Sequence, residues 1–357
     1  MLSLRSLAAA AFISLSSVAG FADVDASAPK SVPAEKSRTA AQMGTFTLMA
    51  ENDFKWSDKY YTNAVQFAYT SPVLFQENGA PDWLASTLRF TPLAVSSATT
   101  PAEYRFHFGV AQEMYTAKSL DRYPPPGDHP YSGLLYGSFG LSSETASRLD
   151  VLELSLGVIG PASLARQTQN EYHDLIDDDR FLGWPDQVRN EPLIQLAWER
   201  RHRVCLHREE SFGIDVIPHL HIEGGTVRTY ATGGAQLRLG WNLPEDFGVD
   251  TLRATNATFR PARNLPVSAS GFRPDSFYFY ADAQIEGWLH NSSLDGNLWR
   301  DSYSVDSYPC VGQGTFGIAA HWGQWRFTYA TLVRSKEFRT QDHDTFVFHS
   351  ISLTAAF

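Results

Sequence analysis

The sequence predicts an all-β fold: a twelve-stranded antiparallel transmembrane β-barrel of the outer membrane, with a short helix in an extracellular loop. Three observations indicate it. Many segments of about ten residues alternate large apolar with small or polar side chains, which is strand periodicity at the length of a tilted bilayer crossing. Beyond the N-terminal leader, no apolar run is long enough for a membrane-spanning helix. The last segment alternates in the same way and ends on Phe357, as outer-membrane barrels commonly do.

The N-terminal residues 1–22 are predicted to be a signal peptide. Arg5 supplies the positive start, Leu7 to Val18 form an apolar stretch too short to span a bilayer, and Gly20 to Ala22 form a small-x-small cleavage site. Residues 23–43, rich in Ala, Ser, Pro and charges, are predicted to be a flexible segment. The barrel is then expected to occupy 44–357.

Twelve segments carry the strand pattern. An even number lets the sheet close with both termini in the periplasm, and it places the tight link at Gly323 inside and the long segment after Val158 outside. The predicted strands are Gly44–Asp53, Tyr61–Thr70, Tyr104–Tyr115, Tyr131–Ser142, Arg148–Val158, Glu191–Arg200, Gly213–Glu223, Tyr230–Trp241, Ser276–Glu286, Gly312–Trp322, Trp325–Arg334 and Thr345–Phe357.

Two inner connections, 71–103 and 242–275, are longer than periplasmic turns usually are. The first contains a candidate amphipathic helix capped by Asp82, and the second has no physical explanation in the sequence. In each strand one face is apolar. In a soluble sandwich that face would be the core, whereas in a membrane barrel it meets lipid and the other face lines a polar lumen.

Composition restricts the partners. The 357 residues include 29 Lys plus Arg against 39 Asp plus Glu, a formal net charge of -10, so no nucleic-acid partner is expected. The chain has only 2 Cys. The strand count places Cys205 and Cys310 at opposite ends of the barrel, which predicts two free thiols, or a dimer linked through one of them, and no bridge within the chain. The barrel is expected to be a monomer surrounded by outer-membrane lipid.

Two groups of residues are candidates for chemistry. His219, His221 and Glu223 alternate on one strand face and could bind a metal, although lumen lining explains the same pattern. The second group lies after Val158, where Ser163 is placed to cap a helix running to about Ile176. On that helix His173 has the Gln169 amide one turn before it and a carboxylate one turn after, an arrangement suited to a general base. A polar loop helix with an incidental histidine is the alternative.

These residues, with others along the chain, resemble the calcium-dependent lipid A 3'-O-deacylases of Gram-negative outer membranes. The resemblance implies a twelve-stranded barrel whose site lies between the inner wall and an outer-loop helix, and ester hydrolysis by a histidine-activated water with Ca²⁺ at the oxyanion. The matching stretches are Glu51–Asp53, Asp58–Asn63, Tyr115–Thr116, Asp128–Gly133, Gly157–Leu164, Gln169–His173, Gly183–Trp184, Asn190–Pro192, Asn242–Gly248 and Leu294–Asn297.

The resemblance also implies roles for individual residues. Asn52 and Asp53 are expected at the metal with Thr62, Gln169 as a polar group of the site, and His173 as the base. A further acidic residue falls at Asp179, with Asp174, Asp177 and Asp178 as alternatives. By strand alternation Thr62 and Asp53 fall on the predicted lumen face, and Asn52 on the other.

The implied substrate is lipid A of lipopolysaccharide, cleaved at the 3'-linked acyloxyacyl ester near the outer leaflet. His129 and Ser132 stand where the family usually has Arg and Ala, and Ala64 where it has Gly. An outer-membrane phospholipase with Ser132 or Ser163 as nucleophile is an alternative of the same class. A porin or adhesin without catalytic activity is an alternative of another class.

Overall fold

A computed structural model describes residues 43–52, 59–74, 91, 93, 102–177, 179–251, 264–265 and 273–357. The strands are β1 Thr45–Asn52, β2 Tyr60–Thr70, β3 Glu103–Thr116, β4 Ser132–Glu144, β5 Arg148–Ile159, β6 Glu191–His202, β7 Val204–Arg208, β8 Phe212–Gly225, β9 Arg228–Trp241, β10 Ser276–Asn291, β11 Cys310–Trp322, β12 Trp325–Ser335 and β13 Thr345–Ala356. Within the described residues the helices are α1 Ala165–Ile176 and α2 Ser292–Asp295, with 3-10 turns at Pro161–Ser163 and Trp184–Asp186.

The strands form one closed antiparallel barrel, because β1 pairs with β13 and β6 pairs with β8. β6 and β7 are a single wall strand interrupted only at Arg203. Arg201 faces His219 and Val204 faces Val216, so both segments keep the same register against β8. The barrel therefore has twelve strands, which confirms the sequence prediction. No helix of the described residues is long and apolar enough to cross a membrane.

The two faces of the wall differ as the alternation predicts. The outward face exposes large apolar side chains such as Phe46, Phe67, Ile285 and Phe316, whereas the inward face is polar and buried. In water this outward band would be a large exposed apolar surface, so the band is expected to contact the hydrocarbon core of the bilayer. On the inward face, charged side chains of opposite sign lie close to one another.

Buried ion pairs fill the lumen. Arg228 Nη1 lies 3.1 Å from both carboxylate oxygens of Glu113, and Arg334 Nη1 donates to Glu286 at 2.7 Å. Buried charges are stable only when paired and hydrogen-bonded. The first pair crosses the lumen from β9 to β3, and the second joins β12 to β10, two strands apart in the wall. We name the end of the barrel that carries α1 and α2 the loop end. The opposite end, which carries Thr45 and Ala356, is the terminal end.

Part of the long connection after β9 folds back into the lumen at the terminal end. Phe247 and Asp250 are buried there. Arg238 forms an ion pair with the Asp246 carboxylate. The Gln236 side chain donates from Nε2 to the Val249 carbonyl at 2.9 Å and accepts at Oε1 from the Val249 backbone N–H at 3.0 Å. This segment is an internal plug, which explains why the connection is long. The predicted helix at Asp82 lies outside the described residues.

Both cysteines are free and exposed. Cys205 lies on β7 near the terminal end, opposite Asp215, and Cys310 begins β11 at the loop end, opposite Gly287. The predicted separation along the barrel is therefore present.

Candidate active site

The loop helix α1 packs on the outside of the barrel wall. Met114 and Gly133 are cross-strand neighbours on β3 and β4 and alternate with lipid-facing residues such as Val110 and Phe139. Even so, Met114 is only 3% exposed, because Ala165 and Trp184 cover it. The resemblance implied a site at the inner wall. That expectation is wrong, since the helix covers the outward face of β3 and β4.

Two glycines permit this close approach. A Cβ on Gly133 would lie 2.3 Å from both Ser163 Oγ and Ala165 Cβ, so no larger residue fits without moving the helix. Gly160 has φ 102° and packs against the backbone of Arg189, where a side chain would be both strained and obstructed. The connection that carries α1 can therefore pack closely against its neighbours because these two positions have no side chain.

The start of α1 differs from the prediction. Ser163 belongs to the preceding 3-10 turn, and the N-cap position is Leu164 in the left-handed conformation, φ 61°. Ser163 is fully buried, and its backbone carbonyl accepts a hydrogen bond from Gln112 Nε2 at 2.6 Å. Gln112 is an outward-facing residue of β3, so the wall holds the turn from outside. The start of α1 is therefore held by packing of the turn against the wall, and not by a hydrogen bond from an N-cap side chain.

His173 lies on the buried face of α1 with Gln169, and each is 4% exposed. Its Nδ1 is 2.5 Å from the backbone carbonyl oxygen of Asp179. Because a carbonyl can only accept, Nδ1 carries the proton and Nε2 carries the lone pair. Phe181 packs edge-on against the ring at 5.7 Å between centroids. His173 therefore has a fixed tautomer in an apolar setting, as a general base requires.

The acidic residues after His173 divide into different roles. Asp179 contributes its backbone carbonyl, while its side chain is exposed. Asp174 forms an ion pair with Arg180, and the hydrogen bond from that guanidinium lowers the pKa of the Asp174 carboxyl. Asp177 is the left-handed C-cap residue, and Asp178 lies outside the described residues. The structure thus connects Asp179 to His173 through the main chain.

Gln169 has a chemically fixed amide orientation. Trp184 Nε1 donates to Gln169 Oε1 at 2.6 Å, and an indole nitrogen can only donate. The amide nitrogen of Gln169 is consequently identified, and it is buried with no hydrogen-bond partner among the described residues. A buried donor left unsatisfied costs about 1–3 kcal/mol, so it calls for a ligand or a water. Trp184 lies in one of the stretches that match the family, but the sequence alone gave it no role in the site.

Thr62 points to the outer side of the wall because of a β-bulge. The register between β2 and β3 shifts between Tyr61 and Asn63, and Thr62 Oγ1 lies 2.6 Å from Thr116 Oγ1. Thr116 alternates with Met114, so both hydroxyls are on the outward side. Strand alternation alone placed Thr62 in the lumen, which is wrong because the bulge adds one residue.

Asn52 is outward as well. It alternates with the exposed Phe46 and Leu48 and lies directly opposite Asn63, while the neighbouring Glu51 points inward and accepts from the Tyr61 hydroxyl at 2.7 Å. The face that the sequence assigned to Asn52 is therefore correct. It is also the face that α1 covers on β3 and β4, so Asn52, Thr62 and the helix share one side of the wall.

The oxygen atoms on this side of the wall are of the kind that bind a hard cation. Asn52 offers an amide oxygen, and Thr62 and Thr116 offer hydroxyls, which suit Ca²⁺ rather than zinc. Asp53, the expected charged ligand, lies outside the described residues. Among the described residues, no group of three or more His, Cys, Asp or Glu side chains is arranged to hold a metal ion. Any cation here would thus depend on amide and hydroxyl oxygens and on Asp53.

The other histidines that the sequence analysis named contact groups of the protein itself. His219 Nε2 pairs with Asp282 at 2.9 Å and His221 with Glu223 at 3.4 Å, both within the lumen network. The lumen cavity beside them has a volume of only about 50 Å³. His129 is buried and its Nδ1 donates to the Pro130 carbonyl at 2.7 Å.

Among the described residues, no histidine is bonded to either candidate nucleophilic serine. The buried Ser132 hydroxyl has no hydrogen-bond partner in the described part of the chain. The Ser163 hydroxyl accepts from the Ala165 backbone at 3.4 Å. Neither serine therefore has the activating base that a serine nucleophile needs.

Comparison with known proteins agrees with this architecture. The family described as outer membrane protein LpxR matches residues 7–357. The solved structure of LpxR from Salmonella typhimurium is 18% identical with a TM-score of 0.64, and the match covers 88% of this chain and 100% of that one. The β domain of the Bordetella autotransporter BrkA is 8% identical, with coverages of 88% and 98% and a TM-score of 0.41. No curated protein sequence matches. The chain belongs to the LpxR family of outer membrane proteins.

Proposed function

We propose that this protein is a lipid A deacylase that hydrolyses the 3'-linked acyloxyacyl ester of lipopolysaccharide. The observation that carries the proposal is the position of His173, a buried histidine of fixed tautomer on a loop helix whose first residue, Ala165, packs on the lipid-facing side of the wall. A lipid in the outer leaflet can approach that side laterally. In the described part of the chain, ion pairs and the plug fill the lumen at the levels of Glu113, Glu286 and Asp246.

In the proposed reaction, His173 Nε2 takes a proton from a water that attacks the ester carbonyl carbon. The Asp179 carbonyl holds Nδ1–H and so stabilises the charged imidazolium that forms. Collapse of the tetrahedral intermediate breaks the bond to the sugar oxygen, which takes the proton back from His173. The Gln169 amide, oriented by Trp184, is available to donate a hydrogen bond to the substrate or the water.

Asn52, Asp53 and Thr62 would hold Ca²⁺, with Thr116 as an added neighbour. When bound, the cation would supply positive charge to the ester carbonyl oxygen. The chain's own contribution is to present oxygen donors on the same side of the wall as His173. The bulge at Thr62 is central to that arrangement, since it turns the hydroxyl away from the lumen.

The alternative functions find less support. A serine nucleophile requires a base partner, and neither Ser132 nor Ser163 has a histidine bonded to its hydroxyl among the described residues. A porin requires an open lumen, whereas Arg238, Asp215 and Asp246 close the terminal end with buried ion pairs. Both features favour an enzyme that works on the outer surface of its barrel.

The test is mass spectrometry of purified lipid A incubated with the refolded protein. We expect loss of one acyloxyacyl group with added Ca²⁺, no loss with a chelator, and recovery when Ca²⁺ is restored. His173→Ala should abolish the loss, while His343→Ala, which changes an exposed loop histidine, should not. Chelator-resistant cleavage, or an active His173→Ala enzyme with heat-modifiable migration, would overturn the mechanism.

A further inference from the structure

The lipid-facing side of the wall carries a polar row beside the candidate site. At one level across four adjacent strands lie Asn63 on β2, Asn52 on β1, His349 on β13 and Thr331 on β12, each the direct cross-strand neighbour of the next. All four are half-buried. Two of them, Asn52 and Asn63, adjoin Thr62 and so belong to the candidate site as well.

The His349 ring is held by two residues of the neighbouring strand β12. Its Nδ1 lies 2.9 Å from the Tyr329 hydroxyl and 3.1 Å from Thr331 Oγ1. The ring also stacks on Tyr329 with an interplanar angle of 14° and 5.8 Å between centroids. Both hydroxyl contacts use the same ring nitrogen, and together with the stacking they fix the orientation of the imidazole.

The row lies within a band that is mostly apolar. Along β13, His349 stands between the outward-facing Val347 and Ile351. Near the same end of the barrel, the far wall presents Val158, Ile194 and Ile222 on its outward face. Polar side chains facing the hydrocarbon are expensive, and where they occur they mark functional positions. Polar side chains also occur elsewhere on the outward face, as at Gln112 and Thr229, but this row is continuous over four neighbouring strands, and that continuity indicates a ligand.

We propose that this polar row, Asn63, Asn52, His349 and Thr331, binds the sugar headgroup of a glycolipid in the outer leaflet. The inference rests on the proposed function, because it names the part of the substrate that the same site recognises. By binding the headgroup, the row determines which lipid is bound with its ester near His173.

The chemistry of the row favours hydroxyl and amide groups as its ligands. It consists of amides, an imidazole and a hydroxyl, and it contains no Lys, Arg, Asp or Glu. A phosphate would be matched by Arg or Lys with charge-assisted hydrogen bonds. With strands about 4.8 Å apart, the row spans roughly 14 Å, which suits an extended headgroup rather than a single polar atom.

The test compares the double variant His349→Leu/Thr331→Val with Thr229→Val, which changes an outward threonine of β9 on the far wall. Each full-length protein is refolded in detergent and checked for heat-modifiable migration. Native mass spectrometry then measures binding of lipid A, dephosphorylated lipid A and phosphatidylglycerol. Deacylation of lipid A gives kcat and KM. If the double variant fails to fold, His349→Gln and Thr331→Val are measured separately.

We expect Kd for both forms of lipid A, and KM, to rise about tenfold in the double variant, with kcat within about twofold of the wild type. Thr229→Val should match the wild type, and phosphatidylglycerol binding should be weak and unchanged. Unchanged lipid A binding would overturn the proposal, as would a loss confined to the phosphorylated form. Wild-type binding that depends on the row without ester cleavage would refute the deacylase function alone.

Discussion

At the scale of single residues, the site depends on neighbours that fix which atom donates and which accepts. Trp184 does this for Gln169, and we predict that Trp184→Phe lowers kcat by about tenfold, because the amide loses the partner that orients it. KM should change little. The measurement is steady-state deacylation, with Trp325→Phe on the lipid-facing wall as the control. Full activity in Trp184→Phe would show that the amide orientation is irrelevant.

The threonine pair of the site has a matched counterpart elsewhere in the barrel. Thr62 and Thr116 lie 2.6 Å apart on the outer side, and Thr47 and Thr354 lie 2.8 Å apart in the lumen. Thr62→Val should raise the Ca²⁺ concentration for half-maximal activity by about tenfold or more, because an oxygen donor is lost. Thr47→Val removes an equivalent hydroxyl and should leave the Ca²⁺ requirement unchanged. Equal effects would place the cation elsewhere.

The same residues show what can be predicted from the sequence. Asn52 faces outward because alternation along β1 is regular, and that could be predicted by counting. Thr62 could not be placed this way, because a bulge leaves no reliable trace in a single sequence and reverses the face of the inserted residue. Asp179 was identified as an acid, yet its contact with His173 is through the backbone, which residue type does not reveal.

At the scale of elements, the seat of α1 on the wall depends on one missing side chain. Gly133→Ala would place a Cβ 2.3 Å from Ser163 Oγ, so the helix must shift and carry His173 with it. We predict an activity loss of about 10- to 100-fold with a normally folded barrel, since small displacements of a base are costly. Gly137→Ala is the control, because its Cβ would meet only Gly109 O at 3.7 Å. Similar losses in both variants would contradict this reading.

The Asp174 to Arg180 ion pair ties α1 to the segment that supplies the Asp179 carbonyl. The hydrogen bond from Arg180 lowers the pKa of Asp174, so the pair is fully formed above the ordinary carboxyl pKa and is lost only as the pH falls through the lowered value. Asp174→Asn should therefore reduce kcat by a few-fold, and the deficit should stay constant from about pH 5 to about pH 8. A deficit that varies across this range would assign the effect to another group.

Strand number, strand faces and the presence of the loop helix could be predicted, because each depends on periodicity over many residues. The side of the wall that α1 covers could not, since it depends on Gly133 and Met114 allowing a long-range contact. The long connection after β9 likewise gave no local signal. Its role appears only when Asp246 meets Arg238 inside the closed barrel.

At the scale of the whole molecule, stability and catalysis are located on opposite faces of one wall. Arg238 is fully buried in the lumen and pairs with Asp215 at 2.7 Å and with Asp246 of the plug. Removing it would take the shared guanidinium from both carboxylates and leave Asp246 with only the longer ion pair to Arg326, at 3.7 Å, so we expect a cost of about 3–5 kcal/mol. The candidate site would be untouched, because α1 and His173 lie outside the barrel.

We therefore predict that Arg238→Met lowers the temperature at which the heat-modifiable band unfolds, while the activity per folded molecule stays within about twofold of the wild type. Arg339→Met is the matched control. It removes an ion pair with Asp306 whose side chains are both mostly exposed, and such pairs contribute little. The measurement is a gel-shift melting series alongside deacylation at low temperature. Loss of activity in folded Arg238→Met would mean that the lumen takes part in the chemistry, and unchanged melting would mean that the plug does not hold the barrel together.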